Sequence, residues 1–189
     1  VELTVWHEAS RITHEEAAAK TSFEPHPYVR DFCAEVGDFI VGGDGWSHVR
    51  LSVKDSAVAR VRYAASKHRL VCYDPRWQAV LNPPLLRRPG AWELCFCVGH
   101  SIDDPAPGHL ERAVRGLAPD NWFVALEDGD DHYVQAALTE AGYLLEIREG
   151  SAEKHWQTRV SDTDRLIHAF TAQAAGDPTW RDGFDWKGL

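Results

Sequence analysis

Methionine is absent from this 189-residue chain, and cysteine occurs only four times. Cys33, Cys72, Cys95 and Cys97 form no dense disulfide framework. They read as free or buried thiols of a reducing cytosol. Long apolar runs are also missing, since no stretch approaches the roughly 20 residues that span a bilayer. The first residues, Val1 to Trp6, lack the basic region and apolar stretch of a secretory signal. The expectation is a cytoplasmic protein with no membrane partner. Positive charge is scarce as well: 20 Lys and Arg stand against 29 Asp and Glu, for a formal net charge of −9. Binding to a phosphate backbone needs concentrated Lys and Arg, so nucleic acid is disfavoured as a partner.

Familiar catalytic signatures are missing too. None of the ten histidines forms His-Glu-x-x-His, and no Gly-x-Ser-x-Gly elbow supports a nucleophilic serine. Gly42-Gly43-Asp44-Gly45 lacks the Lys-Ser/Thr of a phosphate loop and the third glycine of a dinucleotide fingerprint, and reads as a loop.

What is present is an ordinary globular mix of apolar and charged residues, which argues against disorder. The charge is unevenly placed. Residues 1–89 carry 12 basic and 11 acidic side chains, whereas residues 90–189 carry 8 and 18. The change falls beside Asn82-Pro83-Pro84-Leu85-Leu86-Arg87-Arg88-Pro89-Gly90, where prolines stop both helix and central strand. Two domains are expected, a small α/β unit over 1–86 and an acidic α+β domain over 87–189.

Periodicity supports an α+β class, with two small mixed α/β units. Each is expected to hold a mainly antiparallel sheet with helices packed on one face. In the first unit, Glu2 to His7 and Ser47 to Val53 alternate as strands. Thr13-His14-Glu15-Glu16 matches a capping box. Pro27 opens a helix with Val29, Phe32, Cys33 and Val36 on one side. Asp55 or Ser56 is expected to cap a helix that buries Val58, Val61 and Ala65. Leu70 to Tyr73 is an apolar strand, with Trp77 to Leu81 returning antiparallel to it after Asp74-Pro75-Arg76. In the second unit, Trp92 to Val98, Asn121 to Leu126, His132 to Ala137, Tyr143 to Arg148 and His155 to Arg159 are expected strands. A helix is expected from Asp103-Asp104-Pro105, with Leu110, Ala113, Val114 and Leu117 as its apolar stripe. Ser161 or Asp162 caps a last helix that ends at Gly176-Asp177-Pro178.

Three groups of residues invite a functional reading. Cys95, Cys97 and His100 offer thiol and imidazole ligands to zinc, but their spacing is off-pattern and a fourth ligand must come from elsewhere, so the reading preferred for Cys95 and Cys97 is small core residues under a covering helix. No metal or cofactor is expected. Trp180 and Trp186 on the tail either cap the body or anchor a partner, and capping is favoured. Glu127, Asp128, Asp130 and Asp131 are the densest charge. Calcium ligation, a solvated hairpin tip and an electrostatic docking surface are three readings of them, and the twelve-residue calcium loop pattern is missing. The docking reading makes Asp128, Asp130, Asp131, Glu146 and Glu149 the candidate partner-binding residues, with no catalytic residue assigned.

Two stretches carry a family resemblance. Leu3-Thr4-Val5-Trp6-His7-Glu8 and Arg69-Leu70-Val71-Cys72-Tyr73-Asp74-Pro75 resemble small actinobacterial proteins in which a Cys-Tyr/Phe-Asp-Pro turn closes a compact α/β unit. Gly142-Tyr143-Leu144-Leu145-Glu146-Ile147-Arg148-Glu149-Gly150, His155-Trp156, the last helix and Trp180 to Trp186 resemble Imm-type immunity proteins of bacterial polymorphic toxin systems. This resemblance implies a non-enzymatic protein that binds a cognate toxin domain in the cytoplasm. It carries over no catalytic residue. A small enzyme or metal protein using Cys95, Cys97 or His100, and a housekeeping interaction scaffold, are the alternatives.

Overall fold

The computed structural model describes residues 1–129 and 131–189. The chain divides into two compact units, Val1–Pro89 and Gly90–Leu189. The division lies within the proline-rich stretch, slightly beyond the 86/87 boundary expected from sequence. Both units are α+β and both sheets are antiparallel. Among the described residues, no helix is long and apolar enough to cross a membrane.

The first unit holds strands β1 (Glu2–Trp6), β2 (Ile40–Gly43), β3 (His48–Ser52), β4 (Val71–Asp74) and β5 (Ala79–Leu81), in the order β2-β3-β1-β4-β5. Alternation decides its layers. Leu3 and Val5 of β1 meet Val49 and Leu51 of β3 on one side. There they pack against α2 (Pro27–Val36) and α3 (Asp55–Lys67) through Val29, Phe32, Val36, Val58, Val61 and Ala65. A smaller layer lies on the other side, where Trp6, Val71 and Val80 pack with Ala17 of α1 (His14–Ala19). The Thr13 box is formed: its hydroxyl accepts from the Glu16 N–H, and Glu16 accepts from the Thr13 N–H at 2.8 Å. His26 caps α2, its Nδ1 accepting the N–H of Tyr28 at 3.2 Å. Lys54 occupies the cap position of α3 without a side-chain bond, and Asp55 falls just inside the helix.

Gly42 and Gly43 correct the loop reading, because they end β2 rather than lie outside it. Gly42 pairs with Arg50 and Gly43 with Val49. A Cβ at Gly43, whose φ is +99°, would sit 2.5 Å from the His48 carbonyl oxygen. Only glycine lets this strand turn so tightly against its neighbour. The Cys-Tyr-Asp-Pro segment is a structural turn. Asp74 accepts the N–H groups of Arg76 at 3.0 Å and Trp77 at 3.4 Å, and its other oxygen lies 3.6 Å from buried Arg62. Cys72 beside it is fully enclosed, and burial pushes its thiol up to about 11.

The second unit holds β6 (Glu93–Phe96), β7 (Ser101–Asp103), β8 (Phe123–Glu127), β9 (His132–Thr139), β10 (Gly142–Glu149), β11 (His155–Val160) and β12 (Lys187–Gly188). Their order is β12-β11-β10-β9-β8-β6-β7. Two sequence expectations change here. The strand expected over 92–98 stops at Phe96, and the chain turns through Gly99 (φ +75°) into β7. The helix expected from Asp103 begins instead at Pro107, giving α4 (Pro107–Arg115). Ile102 is buried and pairs with Leu94, which keeps Asp103 extended. Pro107 then takes the first helical position, where its missing N–H costs nothing. α5 (Thr163–Ala174) starts at Asp162, whose carboxylate accepts the Asp164 N–H at 2.9 Å.

Leu94, Val124, Leu126, Val134, Ala136, Leu145 and Ile147 share one side of this sheet and are buried. Leu110, Ala113 and Val114 of α4 and Leu166, Ala169 and Phe170 of α5 are buried as well. The tail folds back as the capping reading expects. Trp180 is 3% exposed, stands edge-on to Phe184 and Trp186, and donates its indole N–H to Gln173 of α5.

Candidate functional site

Strand alternation that buries one face of the second sheet displays the other set of side chains on its reverse. Register fixes which of them meet. Gln135 of β9, Glu146 of β10 and Gln157 of β11 are directly opposite one another. Tyr133, Arg148 and His155 form the next row. These six side chains are all half-buried.

They are connected. The Tyr133 hydroxyl and His155 Nε2 lie 3.1 Å apart. Glu146 lies 3.8 Å from the same His155 nitrogen and accepts from the Gln135 amide at 3.5 Å. Arg148 pairs with Asp131 at 3.3 Å. Burial raises the pKa of the Tyr133 phenol, and the negative charge of Glu146 adds to this, so Tyr133 remains a neutral hydroxyl donor or acceptor. Tyr133 and Glu146 approach the same imidazole nitrogen. This differs from a relay that uses one nitrogen for each partner. The arrangement is a hydrogen-bonded polar face.

The four described acidic candidates do not form a single patch. Glu146 stands at the centre of the polar face. Glu149, three residues along the same strand, points the other way by alternation and is held by Arg181 from the tail. Asp131 lies at the rim, tied to Arg148. Asp128 is at the β8–β9 turn, 3.6 Å from His132 Nδ1. Asp130 lies outside the described residues. Sequence reasoning missed Tyr133, Gln135, Arg148, His155 and Gln157. The alternation of three strands carried that signal, but only the register joins them.

The thiol and imidazole candidates diverge. Cys95 donates to Glu127 at 3.0 Å and Cys97 to Asn121 at 3.4 Å, whereas the His100 ring lies against Phe96 on the opposite side of β6. Among the described residues, no group of three or more His, Cys, Asp or Glu side chains is placed to hold a metal ion. A separate cleft of about 430 Å³ lies between α5 and the tail. Its acids are engaged: Asp162 caps α5 and Asp164 pairs with Arg115 at 2.8 Å. Its Arg165 lies over the Phe184 ring, 4.5 Å from the centroid.

The first unit has a second cluster that sequence reasoning did not join. His7 and His26 stack with centroids 3.6 Å apart, and Tyr28 stands edge-on to both. Phe23 stacks on His48 at 4.4 Å. Burial, then the neighbouring His26, lowers the His7 pKa, against an opposing pull from Glu8. In the β2–β3 turn, Asp44 accepts from the Ser47 hydroxyl and from the N–H groups of Trp46 and Ser47, which holds its carboxyl well below the usual range. These contacts build a corner of the fold.

Comparison of the chain with protein-family models, with curated proteins and with solved structures returns no match.

Proposed function

We propose that this chain is a non-enzymatic cytoplasmic protein of the immunity type, which blocks a toxin domain by docking the acidic second unit into a basic cleft. The observation that supports this most directly is the polar face of the second sheet, in a unit with 18 acidic and 8 basic side chains. Glu146 lies on that face, Asp131 is tied to its rim through Arg148, and Asp128 lies at the β8–β9 turn. Glu149 serves from the opposite side as the anchor of the tail. The ion pairs of Asp131 and Glu149 fix their positions and reduce their net field. Specific docking therefore rests more on Glu146, and steering on the surplus charge as a whole.

The test uses the toxin domain encoded in the neighbouring reading frame. Reversing Asp128 and Asp131 to Lys slows association at low salt and weakens its dependence on salt. Glu146→Lys raises the dissociation rate. Unchanged association and dissociation across these variants removes the proposal.

A further inference from the structure

The centre of the polar face holds a carboxylate whose partners are an amide and an imidazole. Asp131 and Glu149 each have an arginine. Glu146 instead has the Gln135 amide at 3.5 Å and His155 at 3.8 Å, and Gln157 stands opposite on the other side. Its side chain is 18% exposed, so it is reached from outside yet poorly hydrated. Beside this row, the rings of Tyr133 and His155 meet edge-on, with centroids 5.8 Å apart.

A carboxylate flanked by two carboxamides and an aromatic pair can receive a guanidinium. Its planar fork bonds a carboxylate in pairs, a carboxamide oxygen turned away from that carboxylate can accept a further N–H, and its face can lie on an aromatic ring. We infer that the Gln135–Glu146–Gln157 row is the seat of one arginine side chain presented by a protein partner, an inference that rests on the partner-binding reading above. The surplus of acidic over basic groups in this unit fits a cationic guest. Arg148 pairs with Asp131, and Arg159 and Lys187 stand near the row on β11 and β12. These cations oppose the guest, so its hold depends on direct pairing with Glu146.

The test titrates the full chain with hexa-arginine, hexa-lysine and hexa-citrulline peptides. Calorimetry gives affinity, and side-chain amide resonances of Gln135 and Gln157 report the site. Hexa-arginine should bind and shift both amide pairs, with hexa-citrulline at least tenfold weaker. Glu146→Gln should weaken hexa-arginine at least tenfold. Gln157→Arg, which brings a guanidinium of the chain itself beside Glu146, should do the same, whereas the charge control Glu140→Gln should bind as the unaltered chain does. Equal binding by Glu146→Gln and the unaltered chain, or equal binding of hexa-citrulline, overturns the seat. Hexa-lysine matching hexa-arginine overturns the choice of arginine. Toxin-domain binding that fails while the peptide results hold removes the toxin reading and supports the seat. Toxin-domain binding that persists while the peptide results fail removes the seat alone.

Discussion

The carboxylate of Asp74 lies 3.6 Å from the guanidinium of Arg62, and both groups are screened from water. Removing one member of a buried pair takes from the other the charge that faces it. Asp74→Ala also strands the N–H groups of Arg76 and Trp77. The expected loss is about 3–5 kcal/mol from the first unit, seen as a lower urea midpoint. A midpoint unchanged within error would show that the turn does not depend on this carboxylate.

His26 uses a ring nitrogen where a helix usually places an oxygen. His26→Asn supplies another cap acceptor and should retain most of the stability. His26→Ala should lose about 1 kcal/mol, with faster amide exchange at Tyr28. Equal melting temperatures for the two variants would contradict the capping role.

Acid should loosen the same corner. The His7 pKa is lowered in the folded chain by burial and then by His26. The folded state thus binds fewer protons than the unfolded one just below the ordinary histidine value of 6.5. This contribution is complete above that value and is lost as pH falls through it. Melting temperature should fall between about pH 7 and pH 5, and His7→Gln should flatten part of that slope. Identical slopes in both proteins would refute the link.

Asp44 works at the other end of the pH scale. Its carboxyl is lowered by the Ser47 hydroxyl first, then by backbone N–H groups of the turn. Its contribution is present above the ordinary carboxyl value of 3.8 and is lost as pH falls below it. Asp44→Ala should speed amide exchange at Trp46 and Ser47 at neutral pH. Exchange as slow as in the unaltered chain would show that the turn is held by other contacts.

Local signals carried much of the fold. The Thr13 box, Pro27 at a helix start and Leu110, Ala113 and Val114 of the α4 stripe each depend on residues within a few positions of one another, so the sequence displays them directly, whereas Leu117 falls beyond the end of α4. β7 was hidden because three residues show too little alternation. Gly42 and Gly43 carry turn chemistry but pair as strand with β3, whose backbone leaves no room for a Cβ at Gly43. The candidate site was legible only in part. Acidic residues are visible as composition, but the partners that hold Asp131 and Glu149 come from another strand and from the tail. Glu146 gains its meaning from Gln135 and Gln157, eleven residues away on either side, which only the hairpin registers bring level.

Those registers also separate two kinds of inheritance. Along β9 and β10, Val134, Ala136, Leu145 and Ile147 hold the protein together, while the residues between them meet the outside. A change at Gln135, Glu146 or Gln157 leaves the buried set untouched. Substitutions can therefore change the chemistry of this surface one position at a time, on a frame that does not have to be rebuilt.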